Sequence, residues 1–151
     1  MNPSQHILVI DDDETVCSSL RLLLSRAGYE VETSYDPRSA TRRISKKRPD
    51  LVILDMNFTI DTSGRQGLRM LKDIKAIDES IPVILITGWG TLQLAVKGMK
   101  AGAKDFLTKP WDNKNLLASV KTVLHLDASR NNPEASPTRF SNIIGEDPGF
   151  M

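Results

Sequence analysis

Four polar sites each follow directly on an apolar run, and together they hold the residue types that divalent-cation and phosphoryl chemistry needs. Ile7-Leu8-Val9-Ile10 leads into Asp11-Asp12-Asp13, Leu51-Val52-Ile53-Leu54 into Asp55, Val83-Ile84-Leu85-Ile86 into Thr87-Gly88, and Asp105-Phe106-Leu107-Thr108 into Lys109-Pro110. A hard ion such as Mg²⁺ takes oxygen ligands in a tight octahedron and keeps several waters, so two carboxylates and a backbone carbonyl suffice as the protein share. Asp12 and Asp55 are the expected direct ligands, the backbone carbonyl of Asn57 the third, and Asp11, nearer its strand, acts through water. Clustered carboxylates repel, so at least one of their pKa values should rise when no cation is bound. A carboxylate beside a cation is also a nucleophile toward phosphorus. Asp55, single and central, is the expected phosphoacceptor. Lys109 would balance the charge of the transferred oxygens, the Thr87 hydroxyl would hydrogen-bond one of them, and Gly88 leaves room for that approach. Any one Asp after a strand is a common turn or cap residue; the informative feature is four such sites in this order.

The elements that must position these residues are legible from periodicity. The apolar runs are short and uninterrupted, as in strands covered on both faces, and they alternate with segments of helical period. Val16, Leu20, Leu23, Leu24 and Ala27 recur at helical steps before Gly28 ends the first helix. Residues 29–34 alternate as a half-exposed second strand, and Asp36 caps a second helix with Pro37 at its first position. A third helix is expected over 67–75, with Leu68, Leu71, Ile74 and Ile77 inward, and a fourth over 91–100 with Ala95, Val96 and Met99 inward. Asp112 or Asn113 caps a last helix. Alternating strands and helices imply right-handed crossovers and an α/β fold, a five-stranded parallel sheet with helices on both faces. The flavodoxin-like order 2-1-3-4-5 puts the ligand crevice between strands one and three, which Asp11, Asp12 and Asp55 follow.

With 151 residues the chain can form one domain with a substantial core. Twenty Lys and Arg stand against 19 Asp and Glu, a balance that gives no global reason to bind nucleic acid or an anionic membrane. The basic stretch Arg42-Arg43-Ile44-Ser45-Lys46-Lys47-Arg48 is the local exception; it reads as the solvated end of a helix, with a weak docking patch as the alternative. Cys17, the single cysteine, excludes an internal disulfide and is expected to be a buried, inert thiol. His6 and His125 read as surface residues. Trp89 and Trp111 fall near the rim of the site, and Trp111 could equally cover the start of the last helix. The first six residues carry no positive n-region and no stretch approaches a membrane span, so a cytoplasmic setting is expected. After Leu126 the composition turns polar, with Pro133 and Pro137, which implies one folded domain over 1–126, a linker over 127–139, and over 140–151 the start of a further domain.

Residues 5–126 resemble the receiver (CheY-like) domains of bacterial two-component response regulators, on Ile-Leu-Val-Ile-Asp-Asp-Asp, Leu-Val-Ile-Leu-Asp, Ile-Thr-Gly and Gly-Ala-Lys-Asp-Phe-Leu-Thr-Lys-Pro. The resemblance implies that Asp55 takes its phosphoryl group from a sensor histidine kinase, with Asp11 and Asp12 as the acidic pair. It implies a cis Lys109-Pro110 bond, and a switch made of Thr87 and Phe106 that repacks the face formed by the fourth helix, fifth strand and last helix; Phe106 as a plain core residue is the alternative. Two features depart from the family. Phe58 stands where a proline usually follows the phosphoacceptor, and the loop into the third helix is longer by about four residues, which bears on Asn57.

Phe140-Ser141-Asn142-Ile143-Ile144-Gly145-Glu146-Asp147-Pro148 is similar to the opening of the ATPase (AAA+) domain of NtrC-type, sigma-54-dependent transcription activators. Trp89-Gly90-Thr91 and the segment 95–106 are similar to the same subfamily. This implies downstream ATPase and DNA-binding domains absent from this chain, which has no Walker phosphate loop and is not expected to be an enzyme. It also implies a homodimer through the switch face or the last helix and linker. Two rival readings remain at this stage. One is an Asp-nucleophile phosphatase of similar fold, which would want an acid where Asn57 stands. The other is a receiver-like interaction module that is never phosphorylated.

Overall fold

The computed structural model describes residues 5–56, 65–88 and 92–130. Along the chain run β1 (His6–Ile10), α1 (Glu14–Arg26), β2 (Glu30–Ser34), α2 (Pro37–Lys46), β3 (Leu51–Asp55), α3 (Arg65–Ile77), β4 (Val83–Thr87), α4 (Leu92–Lys100), β5 (Asp105–Thr108) and α5 (Asn113–Arg130). The strands form one parallel sheet in the order β2-β1-β3-β4-β5, as the alternating pattern requires. The central strands β1, β3 and β4 are buried along their whole length, which is why their sequences are apolar without alternation.

The sheet pleat divides the core in two. Leu8, Ile10, Val52, Leu54, Val83 and Leu85 face one way, packing with Ala40 and Ile44 of α2, with Met70, Leu71 and Ile74 of α3, and with Phe106. Ile7, Val9, Leu51, Ile53, Ile84 and Ile86 face the other way, against Cys17, Leu20 and Leu24 of α1 and Leu116, Val120 and Leu124 of α5. Local signals set the helix ends. The Asp13 carboxylate accepts from the N–H groups of Thr15 and Val16 at the start of α1, and Gly28 takes φ +101° just past its end. Asp36 caps α2 through Ser39 N–H, with Pro37 in the first turn. Asp112 rather than Asn113 caps α5, its carboxylate accepting from Lys114 N–H at 2.7 Å.

Several expectations need correction. Val96 and Met99 are exposed, and α4 instead turns Leu94, Ala95 and Gly98 toward the sheet. The cause is Gly98: a Cβ there would lie 2.1 Å from Leu85 Cδ1, so its bare backbone is what seats α4 on β4, and a glycine adds nothing to an apolar pattern. Ile77, at the end of α3, is exposed, while Met70 is buried. His6 is 5 % exposed, because β1 is paired on both sides; its Nε2 lies 2.7 Å from Glu32 Oε1. The last helix continues to Arg130, four residues into the segment assigned to the linker. No described helix is long and apolar enough to cross a membrane. The loop 58–64, Trp89–Thr91 and the tail from 131 on lie outside the described residues.

Candidate functional site

Strand register brings the predicted residues together. Ile10 pairs with Leu54, so Asp11 emerges beside Asp55. Asp55 pairs with Ile86, which puts Thr87 one residue beyond it on the next strand, and Thr87 pairs with Thr108, so Lys109 follows on the strand after that. The backbone reinforces this edge: Asp11 N–H donates to Ser34 O at 3.0 Å, Met56 N–H to Ile86 O at 2.9 Å, and Lys109 N–H to Thr87 O at 2.8 Å. The Lys109-Pro110 peptide bond is cis, as the resemblance implied.

Asp11, Asp12 and Asp55 each offer a carboxylate oxygen, and these three atoms lie within 4.8 Å of one another. Asp11 and Asp55 are buried, each 1 % exposed, and Asp12 is half-buried. The Asp12 Oδ2 atom is buried and meets no hydrogen-bond donor among the described residues. Lys109 Nζ reaches between strands to Asp55 Oδ1 at 3.3 Å and Asp11 Oδ2 at 3.4 Å. Burial pushes the Asp11 carboxyl above the ordinary carboxylate range, against the opposing pull of Asp13 N–H and Lys109. Burial alone would lower the Lys109 ammonium, but Asp11 and Asp55 outweigh it and raise it. The direction is the one expected for Asp11, but its main cause is burial, with the neighbouring Asp12 charge the smallest contribution.

Asp13, grouped in sequence with the other two acids, is separated from them in role. It is exposed and spends its carboxylate on the α1 cap, while its own N–H donates to Asp11 Oδ1 at 2.9 Å. Two supporting residues were not foreseen. Ser34 anchors Asp11 by its carbonyl, and the Cys17 thiol donates to Asp11 O at 3.2 Å. The strand order offered a signal for Ser34, as the edge-strand residue ending beside β1; one helical turn from Asp13 offered one for Cys17. Thr87 is buried on the same face of the sheet as Leu85 and Phe106, the face that α4 covers. Phe106 is half-buried there. Trp111 packs against the α1–α5 core and donates to Asn113 Oδ1 at 3.1 Å, so it covers the start of α5. Asn57, the third predicted ligand, lies outside the described residues.

The family model of the response regulator receiver domain matches residues 7–121. The transcriptional regulatory protein ZraR of Salmonella typhimurium is 35% identical over 147 residues, which is 96% of this chain and 32% of that protein. The response regulator MprA of Mycobacterium bovis is 33% identical over 140 residues, 93% of this chain and 59% of that one. The receiver domain of NtrX from Brucella abortus superposes with a TM-score of 0.74 at 33% identity, covering 79% of this chain and 98% of that one. The chain thus spans about a third of ZraR and rather more than half of MprA. It belongs to the response regulator receiver family.

Proposed function

We propose that the chain is a phosphorylation switch in which Asp55 accepts a phosphoryl group from a sensor histidine kinase. A carboxylate oxygen of Asp55 attacks phosphorus, the phosphorus–nitrogen bond of the phosphohistidine breaks, and the leaving imidazole takes up a proton. The observation that carries this reading is the constellation itself: three carboxylate oxygens within 4.8 Å, with one ammonium 3.3 Å from the central acid. The residues fit Mg²⁺, since three hard oxygen donors converge and the buried Asp12 Oδ2 has no donor of its own among the described residues. Asp12 and Asp55 would hold the ion, Asp11 through water and the Asn57 carbonyl as third ligand. When bound, the ion neutralises charge on the transferred oxygens. Lys109 supplies the complementary charge from the other side and fixes the Asp55 carboxylate.

Thr87 acts as the sensor. Its hydroxyl follows the phosphoryl oxygens, and Phe106, on the same face, turns into the space it leaves; α4, β5 and α5 repack as a two-state element. That face controls an attached sigma-54-dependent ATPase domain and, through it, DNA binding and transcription by a cytoplasmic regulator, and it or the extended α5 supports a homodimer. The alignment with ZraR, at 147 residues, runs past the end of the receiver match and supports this context. The domain is an acceptor rather than a turnover enzyme. The test is intact mass after incubation with acetyl phosphate and Mg²⁺: wild type gains one phosphate and Asp55→Asn gains none. Acid-labile phosphate retained on Asp55→Asn refutes the assignment, and steady turnover of a phosphate monoester by wild type would favour a phosphatase.

A further inference from the structure

The α2 surface carries charge that neither the acidic site nor the helix itself accounts for. Residues 37–48 hold six cations and no acid in a chain of formal net charge +1, so the remainder is net acidic by five. Three of these cations are neutralised locally: Arg43 by Glu32 at 3.0 Å, Lys47 by Glu30 at 3.5 Å, and Arg48 by Asp78 at 2.9 Å. Arg38, Arg42 and Lys46 are exposed and form no ion pair with any described residue. They follow one another at four-residue steps, which sets their Cβ atoms about 5–6 Å apart along one helix face. Helix stability does not explain the stripe. A cation suits a C-terminal turn, which covers Lys46, but the same dipole disfavours Arg38 in the first turn. Like charges four residues apart weaken a helix further. Among the described residues the stripe therefore has no countercharge.

Beside it a groove of about 360 Å³ runs between α2 and the edge strand β2, lined by Glu32, Ser39, Arg42, Arg43, Lys46 and Lys47. Its wall is pre-set, because Glu32 is held between the buried His6 and the Arg43 guanidinium. Glu32 in that groove, and Glu30 beside it on β2, tie up Arg43 and Lys47 and leave only the single row Arg38, Arg42 and Lys46, too short and interrupted for a continuous nucleic-acid backbone and matched to a short acidic protein segment. A second copy does not fit either, since two-fold pairing through α2 would set these cations against each other. We propose that the α2 face is a docking surface for an acidic segment of another protein, a helix with carboxylates at four-residue steps that meet Arg38, Arg42 and Lys46.

The test uses the 151-residue chain and a synthetic alanine-based helical peptide with glutamates at three successive four-residue steps. Two competitors accompany it: the same composition with the spacing scrambled, and a duplex DNA. Fluorescence anisotropy should show binding of the spaced peptide that weakens with salt and exceeds the scrambled peptide and the duplex by at least about fivefold. Arg38→Glu/Arg42→Glu/Lys46→Glu should lose at least about tenfold in affinity. The neutral Arg38→Gln/Arg42→Gln/Lys46→Gln variant, which removes like-charge repulsion from α2, should melt no lower than wild type and still lose binding. Absence of peptide binding, equal binding of the scrambled peptide, preference for the duplex, or full binding by the neutral variant each overturns the proposal.

Discussion

Neutralising Asp12 should stabilise the metal-free protein and weaken its response to Mg²⁺. Two unit charges 4.8 Å apart, the outer limit for this cluster, repel by about 3.5 kcal/mol at an effective dielectric constant of about 20. Asp12 faces two such neighbours, Asp11 and Asp55, and the single Lys109 ammonium is already placed between those two. Asp12 is half-buried, so solvent screens part of the repulsion. A net gain of about 1–2 kcal/mol for Asp12→Asn is the reasonable remainder. For a domain of this size that is roughly 3–8 °C in Tm.

The metal supplies the second half of the experiment. A cation present at ten times its Kd adds about 1.4 kcal/mol to wild type through linkage. Asp12→Asn lacks the carboxylate proposed as a direct ligand and should show a clearly smaller rise. Thermal melts followed by circular dichroism, in EDTA and across a MgCl₂ titration, read both effects. The variant starts above wild type and the two curves converge as Mg²⁺ is added. A variant that melts below wild type in EDTA, or that rises with Mg²⁺ as steeply as wild type, refutes the claim that these carboxylates are crowded to hold a cation.

Three further outcomes follow from the packing and the local charges. Gly67→Ala should destabilise by about 1–3 kcal/mol in urea unfolding, because a Cβ there meets Met56 Cα and O at 2.6 Å, backbone that cannot swing aside. Cys17 should resist alkylation at pH 8 in the folded state and react fully in denaturant, since burial and the nearby Asp11 and Asp13 carboxylates push its thiol up to about 12. The Asp78 carboxyl is held below its ordinary range by the Ser80 hydroxyl and N–H and by Arg48. A depressed pKa means the native state binds fewer protons, so this stability is present above the unfolded value near about 3.9 and is lost as pH falls through the folded one. Asp78→Asn should therefore cost about 1 kcal/mol or less at pH 7, a difference that shrinks below about pH 4 in denaturant titrations.

Much of this was readable from residue order because strand burial and strand-end chemistry leave local signatures. An apolar run followed by one Asp states both where a strand lies and where it ends, and the parallel order then places Asp11, Asp55, Thr87 and Lys109 at one edge. What escaped are features that depend on a partner distant in sequence. The orientation of α4 is set by contact between Gly98 and Leu85, and glycine has no hydropathy signature. His6 looked like a terminal surface residue, yet pairing of β1 with both β2 and β3 encloses it. Asp13 carries the same charge as its two neighbours, and only the direction of α1 assigns it to a helix cap. The extension of α5 beyond Leu126 leaves no apolar signal, since Asp127, Ala128, Ser129 and Arg130 are polar or small yet all compatible with a helix.

Strand parity supplies the route by which the proposed phosphorylation of Asp55 would reach the α4 face. Successive residues of a strand point to opposite faces. Asp11 and Asp55 have the parity of Val9 and Ile53, whose side chains face α1 and α5. Thr87 has the parity of Leu85, which faces α4 and pairs in register with Phe106. The site therefore straddles the sheet: its acids belong to one face and its hydroxyl to the other. Lys109 ties the two halves, since its ammonium meets both acids while its N–H donates to Thr87 O at 2.8 Å. A charge change on Asp55 would thus act, within one strand spacing, on a residue whose side chain lies on the α4 face. Gly98 seats α4 against Leu85, two residues before Thr87 on β4, so in the proposed switch a movement of Thr87 and Phe106 would be passed to α4.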